Sequence, residues 1–308
     1  MTRRFFSRIG AAAVEAVLYE VSATPKPGLV DRANSGAHND MDFFTFLSSA
    51  AALRHCFDEC AAEGIRHTEE PIQALLPYLQ AVGAAAERNM FAMTRGVNTH
   101  KGMIFSLGLL SGAAGWAAGR QLPLGSELLC GLAARMCEGL CAAAFSGLSL
   151  KPESELTRGE LMYLRFGAAG VRGEAQSGFQ SVRKWSLPVY RRERLAGCSI
   201  NDALVDALLA LMAGTADTNI LGRHDRDALH YVQESAAEAI RLGGMQTETG
   251  RAAVREMDQI FIRKWISPGG SADLTAVTHF LYELEAAEGR AQERECPAET
   301  GCPAVMQK

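Results

Sequence analysis

Apolar residues recur at three- and four-residue spacing through most of the chain, and each such stretch is bounded by residues that start or stop helices. Residues 9–22 read as a first helix. It is ended by Thr24-Pro25-Lys26-Pro27-Gly28, because a residue preceding proline is driven out of the helical region. Asp42 is placed to cap a second helix, with Phe43, Phe46, Leu47, Ala50, Leu53 and Phe57 on one face and a stop near Gly64. Pro71 suits a first helical turn, whereas Pro77 predicts a kink or break. Residues 102–119 carry no charge and reach the length of a membrane span. Their Gly108, Gly112, Gly115 and Gly119 form a small-residue stripe, and no second comparable segment exists, so the pattern predicts a helix buried in a soluble bundle. Ser126 opens an alanine- and leucine-rich run, and Thr157 with Glu160 makes a capping box before 161–166. Ser199 with Asp202 opens a helix through Met212. Residues 225–242 run into Gly243-Gly244, and 247–265 and 271–286 complete the set. No strand-like alternation occurs, so the predicted fold class is all-α, a compact multi-helix array.

A chain of 308 residues buries a sizeable core, and without a repeat or a Gly/Ser-rich linker residues 1–290 read as a single all-α domain. Residues 291–308 read as a mobile polar tail. Lys plus Arg number 31 against 35 for Asp plus Glu, a net charge of −4 that supplies no polybasic field, so no nucleic acid or membrane partner is expected. The eight cysteines form no CxxC pair, and Cys56/Cys60 and Cys137/Cys141 fall on single helix faces as small apolar core residues of a reducing compartment. The N-terminus makes a poor signal peptide, and the expected location is cytoplasmic. Trp116, Trp185 and Trp265 read as core residues.

The polar residues cluster in the loops between apolar helices, which is where a site would be built. The stretches Thr24-Pro25-Lys26-Pro27-Gly28-Leu29-Val30-Asp31-Arg32, Gly36-Ala37-His38-Asn39-Asp40-Met41-Asp42, Gly96-Val97-Asn98-Thr99-His100-Lys101-Gly102, Arg172-Gly173-Glu174-Ala175, Asp217-Thr218-Asn219 and Ser267-Pro268-Gly269-Gly270-Ser271-Ala272-Asp273 stand out. In this order and at these separations, over residues 10–285, they resemble the triphosphoribosyl-dephospho-CoA synthase family, which makes the prosthetic-group precursor of citrate lyase and, in a related branch, of malonate decarboxylase. One departure follows Asp217-Thr218-Asn219: family members often carry Arg-Gly-Gly where this chain has Arg223-His224-Asp225.

The resemblance implies an enzyme that joins C1 of the ATP ribose to the 2′-hydroxyl of 3′-dephospho-CoA and expels adenine, inverting the anomeric carbon and leaving the triphosphate intact. Its product would pass to a holo-acyl-carrier-protein synthase of the citrate lyase system. Such a displacement needs a base for the hydroxyl, an acid for the leaving group and charge stabilisation. Glu174 or Asp31 is the expected base, and His100 the acid or a phosphate ligand. For the triphosphate, Ser267, Gly269, Gly270 and Ser271 offer a glycine-rich helix start, and Asn98, Thr99, Lys101 and Gly102 offer another. Lys26, Arg32, His38, Arg172, Asn219 and Arg223 are further substrate-binding candidates. Mg²⁺ is the expected cofactor, with Asp40, Asp42, Asp217 and Asp273 as candidate ligands. Asp217 is placed at a helix C-terminus, where a carboxylate opposes the dipole and calls for a cation. Two other readings remain: a metal-dependent ADP-ribosyl or nucleoside glycohydrolase, in which water replaces the acceptor, and a non-catalytic helical interaction module.

Overall fold

A computed structural model describes the backbone of residues 2–295 and the side chains of residues 7–287. The helices are α1 (Thr2–Ser22), α2 (Phe43–Arg66), α3 (Leu76–Met93), α4 (Lys101–Gly119), α5 (Ser126–Met136), α6 (Leu140–Phe145) and α7 (Arg158–Phe166), continuing with α8 (Gly170–Gln176), α9 (Leu187–Leu195), α10 (Ile200–Gly214), α11 (Thr218–Arg223), α12 (Arg226–Arg241), α13 (Glu248–Lys264) and α14 (Gly269–Glu295). Short 3₁₀ turns and one π-helical turn link some of them, and no strand occurs among the described residues, so the fold is all-α.

Local chemistry accounts for several of the helix starts. Asp42 accepts the Thr45 N–H at 2.8 Å in a capping box that opens α2, and Thr157 with Glu160 does the same for α7. Ser199 and Asp225 cap α10 and α12 through the N–H groups of Asp202 and Ala228. Pro77 neither kinks nor breaks a helix. The chain makes a 3₁₀ turn over Ile72–Leu75 first, which leaves Pro77 in the first turn of α3, where its missing N–H costs nothing.

The glycine stripe of α4 lets two backbones meet. A Cβ on Gly64 of α2 would stand 2.1 Å from the Gly112 carbonyl, and one on Gly115 would stand 2.0 Å from the Ala61 carbonyl, so neither position admits alanine without forcing α2 and α4 apart. α4 is the one continuous helix among the described residues long and apolar enough to cross a membrane, and 78% of that stretch is buried against its neighbours.

Two large hydrophobic clusters form the core, one mainly from α1 to α5 with α14, the other mainly from α9, α10, α12 and α13, and Tyr282 of α14 packs on both; a small third cluster joins Met162 of α7 to Leu221 of α11. Cys56, Cys60, Cys130 and Cys137 are buried free thiols. Trp116 is buried with its N–H donated to the Glu70 carbonyl, but Trp185 and Trp265 are partly exposed, not core. α14 continues as helix to Glu295, past the expected start of the tail, and the rest of that tail lies outside the described residues.

Candidate active site

The connections leading into α2, α4, α8, α11 and α14 line a single cavity of about 830 Å³, reaching both large hydrophobic clusters. Its inner end is built by Glu20, Lys26 and Asp217, all buried, and by the partly buried Asp273. Glu20 and Lys26 form an ion pair with almost no exposure on either side. Burial raises the Glu20 pKa against the lowering effect of Lys26. Asp217 is not at a helix C-terminus. It is the N-cap of α11, taking the Asn219 N–H at 2.8 Å, and it also accepts from the Ser271 N–H at 2.8 Å and the Ser271 hydroxyl at 3.1 Å. Ser271 is therefore a buried partner of Asp217 and does not line the cavity as a phosphate ligand.

Asp273 differs from its neighbours. No described residue gives it a hydrogen bond or an ion pair, and burial, followed by the Glu20 and Asp217 carboxylates, holds its pKa well above the usual range. Its carboxylate occupies the space beside Gly102, where a Cβ would stand 1.9 Å from Oδ2, so a side chain at residue 102 would expel it. The roof of this end is Gly269 and Gly270 at the start of α14, where added Cβ atoms would each come 3.0 Å from a side chain, Asn219 and Asp217 respectively.

Glu174 lies further along the wall, accepting from the Ser181 N–H at 3.2 Å and the Ser181 hydroxyl at 2.5 Å. It makes no ion pair with Arg172 or Arg183; burial outweighs both Ser181 bonds and raises its pKa. His38 reaches Ser267 Oγ from Nε2 at 2.9 Å, and Asp40 lies 3.8 Å from its Nδ1. Burial, then Arg223, lowers the His38 pKa. Asn98, Thr99, Lys101 and Asn219 also line the cavity, but the Lys101 ammonium is engaged by Glu87 at 2.9 Å.

Several expectations fail on where the side chains point. Asp31 lies off the cavity, its oxygens filled by the Thr24 hydroxyl at 2.6 Å and the N–H groups of Lys26, Ala33 and Asn34 at 3.1, 2.7 and 3.0 Å, so it shapes the loop and is no base. Arg32 is exposed and bonds Asn201 at 3.0 Å. Asp42 is spent on its helix cap. His100 is fully buried behind the wall. Its Nδ1 meets Ser49 Oγ at 2.7 Å, and burial with the Lys26 charge pushes its pKa down to about 3. It stays neutral at ordinary pH and touches no substrate space, so it is neither acid nor phosphate ligand. Ser49 Oγ in turn accepts from Thr99 at 2.7 Å, which makes His100 a positioning residue for a cavity-lining hydroxyl.

Glu20, Ser49 and Arg158 belong to the site or its support and were missed. Glu20 reads as one polar position of an amphipathic helix, and Arg158 as a first-turn residue after a cap. Where relatives of the resembling family have flexible glycines, His224 bonds the Trp265 carbonyl at 2.9 Å and Asp225 caps α12, so this segment is held by side chains.

A sequence profile described as ATP:dephospho-CoA triphosphoribosyl transferase matches residues 6–292. The chain belongs to this CitG family. Among its relatives, a probable 2-(5″-triphosphoribosyl)-3′-dephosphocoenzyme-A synthase of Lactiplantibacillus plantarum is 42% identical over 270 residues, covering 87% of this chain and 94% of the relative. A protein of the same description from Albidiferax ferrireducens is 44% identical over 280 residues, 90% of each chain. The 2-(5″-triphosphoribosyl)-3′-dephosphocoenzyme-A synthase of Pectobacterium atrosepticum is 42% identical over 267 residues, 87% of this chain and 86% of the relative. No solved structure matches the chain. As a CitG-family transferase the chain is an enzyme, which displaces the reading as a non-catalytic module.

Proposed function

We propose that this cavity joins the triphosphoribosyl group of ATP to the 2′-hydroxyl of 3′-dephospho-CoA with release of adenine, and that Mg²⁺ accompanies the triphosphate. The observation that carries the reading is the inner end, lined by three carboxylates, of Glu20, Asp217 and Asp273, against one ammonium, of Lys26, which pairs with Glu20. With all four ionised the local charge is −3 + 1 = −2, and the oxygens of Asp273 have no protein donor. Such a donor set fits a hard divalent cation, and Mg²⁺ characteristically takes one or two carboxylates with phosphate oxygens and waters. Asp217 and Asp273 would hold it, and it would neutralise triphosphate charge that the protein alone leaves uncompensated.

The glycosidic bond from C1 to adenine breaks with its electron pair leaving on the base, which takes up a proton from solvent to balance the one lost by the acceptor, and a bond from C1 to the acceptor oxygen forms. Glu174 takes the proton of the 2′-hydroxyl. Burial raises its proton affinity while Ser181 keeps the side chain fixed, as a general base requires. Thr99, held by Ser49 and His100, and His38, held by Ser267, orient the substrates. The buried free thiols support a reducing, cytoplasmic setting. The product is of the kind a holo-acyl-carrier-protein synthase of the citrate lyase system would take up.

The test is chromatographic detection of adenine released from Mg·ATP with and without 3′-dephospho-CoA. Adenine only with the acceptor, together with a product heavier by a triphosphoribosyl group, is the expected result. Equal release in both reactions would establish a glycohydrolase instead.

A further inference from the structure

Three guanidinium groups from three separate helices gather at the cavity mouth: Arg158 of α7, Arg172 of α8 and Arg223 of α11. All three residues are exposed, unlike the groups of the inner end. Glycines bring them together. Arg158 crosses Gly222, donating to its carbonyl at 2.8 Å, and its Nε lies 2.8 Å from where a Cβ on Gly222 would stand. Arg172 lies over Gly159, with Nη1 3.6 Å from the corresponding position there. No described carboxylate comes within ion-pair distance of any of the three. Asp40 and Asp217 attract Arg223 only from further away, while Arg158 repels it. Like charges collected on a concave surface without an ion-pair partner oppose folding, and their placement is explained by an anion that supplies the close contact the carboxylates do not make.

We infer that Arg158, Arg172 and Arg223 form a metal-free subsite for the diphosphate of 3′-dephospho-CoA, separate from the carboxylate-lined end that takes the triphosphate of ATP. This inference rests on the transferase reaction proposed above. The two anions differ in what lies beyond them. A triphosphate is a chain terminus and suits a closed end, whereas the diphosphate is followed by a pantetheine arm that has to leave through the mouth. Planar guanidinium groups hold such phosphates bidentately without a cation.

The experiment is steady-state adenine release by Arg158→Gln and Arg172→Gln, with Mg·ATP and 3′-dephospho-CoA varied in turn, and with adenosine as an acceptor lacking the diphosphate. In each variant the KM for 3′-dephospho-CoA is expected to rise tenfold or more and that for ATP to move less than twofold, so that the preference for 3′-dephospho-CoA over adenosine shrinks. The Arg172 side chain makes no hydrogen bond to a described residue, so its variant carries the test if Arg158→Gln melts early. A rise in the KM for ATP alone or by the same factor, or unchanged values for both substrates, would overturn the subsite. Failure of the parent enzyme to release adenine at all would overturn the transferase reading itself.

Discussion

Asp31 is buried behind the loop that follows α1 with four donors aimed at its two oxygens, whereas Asp273, packed against Gly102 in the cavity wall, has none. Asp31 lies in the loop between α1 and α2 and Asp273 in the first turns of α14, each within a polar stretch. A buried polar group without a partner costs about 1–3 kcal/mol, so the donors around Asp31 stabilise the fold, whereas the partly buried Asp273 keeps its oxygens open to the cavity. The same division runs through the other carboxylates. Glu193 and Asp206 are also buried, and burial raises both, yet Gln246 donates to each at 3.2 and 3.1 Å and Asp206 also takes the Met245 N–H at 2.7 Å. That pair lies off the cavity and is internally satisfied.

The contrast breaks most decisively at Asp273. Asp273→Asn is expected to lower the rate of adenine release by about 10²–10³-fold, the range seen when one transition-state electrostatic group is removed, while the fold survives. Burial and two neighbouring carboxylates raise its folded-state pKa, so any stability linked to this group is fully present below the unfolded value and is lost as pH rises through the folded one. In thermal melts without divalent metal, the variant is therefore expected to match or exceed the parent at pH 8, with the difference closing toward acid pH. A variant that melts well below the parent at pH 8 would show Asp273 to be a structural residue.

Glu174→Gln keeps one of the two acceptors that Ser181 uses and removes the proton-accepting charge. Turnover is expected to fall about 10²-fold, the lower range for general-base loss. In the parent the acid limb of the pH–rate profile should lie above the ordinary glutamate range, because activity requires the ionised form and burial raises the pKa. The variant should lose that limb, and a limb that survives would assign it to another group.

Asp31→Ala is expected to act on the other side of the contrast, costing about 2–4 kcal/mol in urea unfolding because buried N–H groups lose their acceptor. A midpoint equal to the parent's would contradict the structural role given to Asp31. The smallest effect belongs to Arg32→Ala. This exposed side chain bonds only Asn201, so stability should change by no more than about 0.5 kcal/mol and the KM for ATP should not move; a severalfold rise in that KM would return Arg32 to the site.

What the residues disclosed and what they withheld follows the range of the forces involved. The caps at Asp42, Thr157 and Ser199 and the glycine stripe of α4 are local or periodic, and they were legible. The loops that line the cavity were legible through the quoted motifs. The direction of each side chain was not, because it depends on distant donors: Asn201 for Arg32, Ser49 for His100, Ser271 for Asp217. Asp217 was placed at a helix C-terminus because α11 spans only six residues, too few to show a period of its own. Arg158 stayed hidden since its role requires Gly222, 64 positions further along the chain.

We propose that Asp273 is left without protein donors because it holds the cation that travels with the triphosphate. The most direct test is the shift in melting temperature of the parent and of Asp273→Asn on adding saturating Mg·ATP. A ligand at 100-fold over its Kd stabilises by about 2.7 kcal/mol, a rise of several degrees for a chain of this size. The account predicts that rise in the parent and its loss or near-loss in the variant, whereas equal shifts in both proteins would contradict it.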